Sequence, residues 1–79
     1  MEHTVIVYST PTCSWCVAAK EHLQAHAIDF EDVDLSANPA RASEMIEKSG
    51  QMAVPVIDID GEIIVGFDRD RIDSLLGLS

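Results

Sequence analysis

Positive charge is scarce in this 79-residue chain: five lysines and arginines stand against fourteen acidic residues, a formal charge of -9. Such a surface repels phosphate backbones and anionic lipid, so nucleic acid is not expected as a partner. Long apolar runs are missing too. None approaches the roughly 18 residues that cross a bilayer, and the N-terminus lacks a basic region followed by an apolar stretch and a cleavage site. No membrane association and a cytoplasmic location are therefore expected. Length is the third shortage. A chain this size buries only about 60% of the surface its unfolded form exposes. Residues 1–79 are read as one domain, a monomer, with no room for a deep cavity, so any substrate is met at the surface. What is present, 47% hydrophobic and 24% charged residues, is the composition of an ordinary globule rather than of a disordered segment.

Cysteine is limited to Cys13 and Cys16. As a structural staple, two cysteines three apart gain little, because chain entropy rewards closing long loops. A close pair of this kind in a reducing compartment is more often catalytic, redox-sensing or metal-binding.

Periodicity orders the rest of the chain. Val5-Ile6-Val7-Tyr8 is a nearly continuous, β-branched run suited to a strand buried on both faces. Ser9-Thr10-Pro11-Thr12 breaks it. From Ser14 to about Ala27 good helix formers carry Cys16, Ala19, Leu23 and Ala27 at helical spacing, which puts Cys13 at a helix N-terminus. Phe30, Val33 and Leu35 alternate with acidic residues as in a half-exposed strand. Asn38 and Pro39 read as N-cap and first residue of a second helix running to about Ser49, with Ala42, Met45 and Ile46 inward and Gly50 ending it. Val56–Ile59 and Ile63–Val65 flank Asp60-Gly61, a strong hairpin signal. A short helix follows from Asp68, its N-cap, with Ile72, Leu75 and Leu76 inward and Gly77 at the end. The expected order is β-α-β-α-β-β-α, an α/β fold with a four-stranded mixed sheet flanked by three helices.

This layout suits thiol–disulfide exchange. The attacking species is a thiolate, and a thiol titrating near 8.5 must be made more acidic to attack at neutral pH. The unpaired N–H groups and positive dipole end of a helix do this for a sulfur at Cys13. Cys16 lies one turn in, on the apolar face, placed to attack a mixed disulfide. Cys13 is thus the expected nucleophile and Cys16 the resolving thiol, and only Cys13 should be readily alkylated. Lys20, a turn beyond Cys16, is a weak candidate for favouring a thiolate there, with a solvated surface lysine as the plainer reading. Trp15 has no room to pack inward from so tight a loop and is expected beside the sulfurs as an apolar substrate contact. Pro55 precedes a strand, where proline is tolerated only at the first residue or an edge. A cis Val54–Pro55 bond there would leave the Val54 backbone to pair with an extended substrate.

Tyr8-Ser9-Thr10-Pro11-Thr12-Cys13-Ser14-Trp15-Cys16, Ala53-Val54-Pro55, Asp60-Gly61 and Val65-Gly66-Phe67-Asp68 together resemble the glutaredoxin-like redoxins over essentially the whole chain. The resemblance implies a thioredoxin fold, a cis Pro55, and substrate contact by Cys13, Val54, Pro55 and the Gly66-Phe67-Asp68 turn, with Thr12, Ser14 and Trp15 around the sulfurs. It implies a redox-active Cys13-Cys16 disulfide, no tightly bound cofactor, and disulfide-containing proteins as substrates. Two electron donors stay open. Asp68 matches the residue that holds the γ-glutamyl amino group of glutathione. The lysine that usually pairs with a glutathione carboxylate is missing, with Ser9 and Thr10 in that stretch. Gly66-Phe67 looks closer to NrdH-type redoxins, which take electrons from thioredoxin reductase.

Three other readings compete. A metal carrier fits a surface CxxC, but no second CxxC exists, and the element order is not the β-α-β-β-α-β common among such carriers. His22 and His26 share a helix face two to three turns from the cysteines and read as solvated rather than as ligands. An iron–sulfur cluster shared through Cys13 and glutathione is known in the wider family, typically with different active-site sequences. An interaction module with incidental cysteines would leave Cys13 titrating as an ordinary thiol.

Overall fold

The computed structural model describes residues 3–78. Its elements are β1 (Val5–Ser9), α1 (Ser14–Ala25), β2 (Glu31–Asp34), α2 (Arg41–Ser49), β3 (Val56–Ile59), β4 (Glu62–Val65) and α3 (Arg69–Leu76), in the expected order. They form one mixed sheet, ordered β2-β1-β3-β4. β1 is central, parallel to β2 with Tyr8 opposite Val33, and antiparallel to β3 with Tyr8 opposite Val56. The β3–β4 hairpin turns on Asp60 (φ 51°) and Gly61 (φ 92°), the two left-handed residues that a type I′ turn requires.

Side chains alternate across the sheet as the strand period demands. Val5, Val7, Ile57, Ile59 and Ile64 face Ala19 and Leu23 of α1 and Ile72 and Leu76 of α3 in one apolar cluster. Tyr8, Val33 and Val56 face the other way, against Met45 of α2, with Ile6 and Ile63 packed beside them. This second face also carries a polar network. The Tyr8 hydroxyl donates to Glu44 and accepts from Lys48 at 2.7 Å. Lys48 donates to Asp58 at 2.7 Å, and Asp58 accepts the Gly61 N–H at 2.9 Å. Arg41 reaches Glu44 at 2.9 Å and Glu31 of β2 at 2.8 Å.

Three local expectations need correction. α2 starts at Arg41 after Ala40, with no side-chain cap. The Asn38 and Pro39 carbonyls already accept the N–H groups of Arg41 and Ala42 at 3.0 and 3.1 Å, so a tight turn does the work an N-cap side chain would do. Ile46 stands 38% exposed rather than inward, since Met45 occupies the centre of the inner face. α1 stops at Ala25, and Ala27 is exposed in a left-handed conformation (φ 57°) rather than on the apolar face. The Ala27 N–H bonds to the Gln24 carbonyl and the Ile28 N–H to that of Leu23, the double bond of a Schellman ending built without glycine.

Candidate active site

The turn after β1 delivers Cys13 to the N-cap of α1. Its N–H bonds back to the Thr10 carbonyl at 3.3 Å, and its half-buried Sγ accepts the Cys16 N–H at 3.1 Å. This is a helix-capping bond with sulfur as the acceptor, so a charge on Cys13 sits where α1 presents its unpaired donors. Cys16 is fully buried among the apolar side chains of α1. Burial first, and the hydrogen bond it shares with Cys13 second, push its thiol up to about 12. The two thiols are thus unequal, one at the surface and capped, the other enclosed and held protonated at neutral pH.

Two residues past Cys13, Trp15 joins Val54, Pro55, Gly66 and Phe67 in lining an apolar groove of about 230 Å3. Three separate segments meet there. Trp15 stands 65% exposed with its ring 6.4 Å from that of Phe67, and the Val54–Pro55 peptide is cis. Among the described residues, the main chain of Val54 makes no main-chain hydrogen bond, whereas the Pro55 carbonyl accepts the Gly66 N–H at 2.8 Å. The remaining expected site residues lie outside the groove. Thr12, on the turn, and Ser14, the first residue of α1, are both exposed. Asp68 caps α3, accepting the Arg71 N–H at 3.3 Å, and is exposed just past Phe67.

Two clusters behind the site were not legible as such. Lys20 is not merely solvated: it donates to Ser9 at 3.2 Å and to Asp32 at 3.1 Å. Its charge favours a Cys16 thiolate but is far outweighed by burial. His22 likewise pairs with Asp73 at 2.6 Å, linking α1 to α3. Its ring lies 5.6 Å from Phe67 and 4.7 Å from His26, so this pair backs the wall of the groove. Among the described residues no group of three or more His, Cys, Asp or Glu is placed to hold a metal ion.

A surface cysteine on a helix N-terminus, a buried partner one turn in and a proline loop at the same end of the central strands, within a β-α-β-α-β-β-α fold, define a thiol–disulfide oxidoreductase of the thioredoxin fold. Residues 5–64 match the glutaredoxin family model, and the chain belongs to the glutaredoxin family. It is 50% identical over 70 residues to a glutaredoxin-like 8.6 kDa protein in the rubredoxin operon of Clostridium pasteurianum, covering 89% of this chain and 93% of that one. Glutaredoxin 3 of Escherichia coli K12 is 38% identical over 64 residues, 81% of this chain and 77% of that one. Among solved structures, the NrdH-redoxin of Escherichia coli, a glutaredoxin-like protein with a thioredoxin-like activity profile, superposes with a TM-score of 0.78 at 26% identity, covering 91% of this chain and 93% of that one.

Proposed function

We propose that this protein is a cytoplasmic dithiol electron carrier that reduces protein disulfides, with Cys13 as nucleophile and Cys16 as resolving thiol. The observation that carries this reading is the unequal pair, with Cys13 Sγ capping α1 at 3.1 Å from the Cys16 N–H and Cys16 fully buried. The Cys13 thiolate attacks one sulfur of the substrate disulfide. A Cys13–substrate bond forms, and the substrate's other sulfur leaves as a thiolate and takes a proton from water. Cys16 then attacks Cys13 Sγ. The Cys13–Cys16 bond forms, the mixed disulfide breaks, and the proton lost by Cys16 balances the one gained by the departing substrate thiol. The protein is oxidised by two electrons and the substrate disulfide is reduced to two thiols.

The trapping experiment is direct. Cys16→Ser should accumulate a mixed disulfide through Cys13, visible as a mass adduct that dithiothreitol removes, while Cys13→Ser should form none. An adduct through neither cysteine sinks the mechanism.

Thioredoxin reductase is the proposed electron donor. The support is the stretch ahead of Cys13, which offers Ser9 and Thr10 in place of a carboxylate-binding lysine, together with the likeness to NrdH-redoxin. Asp68, exposed beside the groove, favours glutathione as the second reading. NADPH oxidation with a disulfide substrate, supplied with thioredoxin reductase or with glutathione and glutathione reductase, separates them. Turnover only in the glutathione system would make the protein a glutathione-dependent reductant and overturn the first assignment.

A further inference from the structure

We propose that a second open cavity, on the far side of Val54 from the Trp15–Phe67 groove, receives an apolar side chain adjoining the reacting cysteine of the substrate peptide. The inference rests on the disulfide-reductase reading above and adds a substrate preference to it. The cavity has a volume of about 410 Å3, and its walls include Leu35, Pro39, Ala42, Met45, Met52 and Val54. None of its lining residues is charged, and its only side-chain hydroxyls belong to Thr10 and Ser36. It is linked to the nucleophile through Thr10, which lines it and supplies the carbonyl that accepts the Cys13 N–H.

The choice of occupant follows from Val54, which lines both this cavity and the groove. Its main chain is open for pairing with an extended peptide, the mode in which backbone bonds give affinity and side-chain pockets give selectivity. Successive side chains of an extended chain point to opposite sides. A substrate cysteine directed at Cys13 therefore sends its immediate neighbour the other way, into the 410 Å3 space. That space is amply large for a leucine, methionine or phenylalanine. An acidic neighbour finds no cation on the walls and approaches a chain of formal charge -9, so charge and surface chemistry select in the same direction.

The test uses the intact, pre-reduced protein and two model peptide disulfides that differ only in having Leu or Asp next to the cysteine. Single-turnover rates are divided by the rate of each peptide with dithiothreitol, a small dithiol with no binding surface, to remove intrinsic reactivity. The Leu peptide should react about tenfold faster than the Asp peptide, as expected of one apolar pocket. Met52→Lys places an ammonium at the rim on a side chain that is 76% exposed, and Ala42→Leu fills the cavity. Both should cut the preference to about threefold or less, and Met52→Lys keeps the test alive if Ala42→Leu does not fold. Equal normalised rates, or a faster Asp peptide, overturn the inference while disulfide reduction itself stands. No reaction with either peptide overturns the underlying function as well.

Discussion

The two faces of the sheet are held in different ways. Under α1 and α3 the contact is dry, and Val7, Ala19, Leu23, Ile57 and Ile72 have no exposed surface. Under α2 the apolar cluster is smaller, and Tyr8, Glu44, Lys48 and Asp58 carry a chain of hydrogen bonds from β1 through α2 to β3. Two helices cover one face, where burial is joined by the His22–Asp73 pair between them. A single helix cannot cover the other face. Directional bonds set its position instead, and the uncovered apolar edge becomes the cavity beside Val54. The groove and the cavity thus open where the polar network runs out, and the cysteine-bearing helix α1 belongs to the dry face.

This contrast is broken first by truncating each core. Leu23→Ala in the dry face should cost about 4 kcal/mol, because a close-packed surround cannot collapse into the hole. Met45→Ala should cost nearer 2 kcal/mol, since Met45 already borders open space and a partly packed site loses fewer contacts. Urea unfolding of both variants decides it, and equal losses would remove the distinction between the faces.

A sharper probe is the network itself. Lys48→Met leaves Asp58, only 8% exposed, without its cation and should cost about 2 kcal/mol. The penalty stays below that of a fully buried pair because the Lys48 side chain is 29% exposed. Tyr8→Phe removes two hydrogen bonds, to Glu44 and from Lys48, but Glu44 keeps Arg41 and Lys48 still reaches Asp58, so it should cost about 1 kcal/mol. A larger loss for Tyr8→Phe than for Lys48→Met would mean that packing, not pairing, governs this face.

Acid should distinguish the faces as well, through a carboxyl on the α2 side. Hydrogen bonds from Arg41 and then Tyr8 hold the Glu44 carboxyl down to about 2, against an ordinary value of 4.5. A depressed carboxyl contributes stability that is whole above its unfolded value and lost as pH falls through the folded one. The α2 face should therefore weaken between about pH 4.5 and pH 2. The loss should be on the order of 1 kcal/mol, because the Glu44 side chain is 38% exposed and screened. Glu44→Gln should flatten that part of the melting-temperature profile, and an unchanged slope would assign acid sensitivity to other carboxylates.

Local patterns were readable from the sequence and long-range pairings were not. The continuous run Val5-Ile6-Val7-Tyr8 and the Asp60-Gly61 turn each lie within a few residues, and the element order follows from patterns of this kind. Cys13 and Cys16 are equally local, and one helical turn relates them. Tyr8 with Lys48, Lys20 with Asp32 and His22 with Asp73 are partners only because the fold brings them together. Taken singly, Lys20 and His22 read as solvated groups. The cavity beside Val54 was hidden for the same reason, as it exists only in the space between α2 and three connections.

The end of α1 shows a smaller failure of the same kind and yields the smallest predicted effect. α2 and α3 end on Gly50 (φ 75°) and Gly77 (φ 71°), where glycine marks the stop. α1 has no such marker, so its apolar spacing seemed to run on through Ala27, where the chain in fact turns left-handed. An alanine methyl in that conformation crowds the following carbonyl, at a cost of about 1 kcal/mol. Ala27→Gly removes the crowding but adds freedom to the unfolded chain, which takes back part of the gain. The net should be a stabilisation of about 0.5 kcal/mol, seen as a raised urea midpoint with an unchanged slope. Because Ala27 is exposed and touches neither thiol nor groove, the rate of disulfide reduction should stay the same. A loss of stability instead would mean that the double hydrogen bond from Ala27 and Ile28 depends on the alanine side chain, and that α1 is ended by packing rather than by backbone geometry.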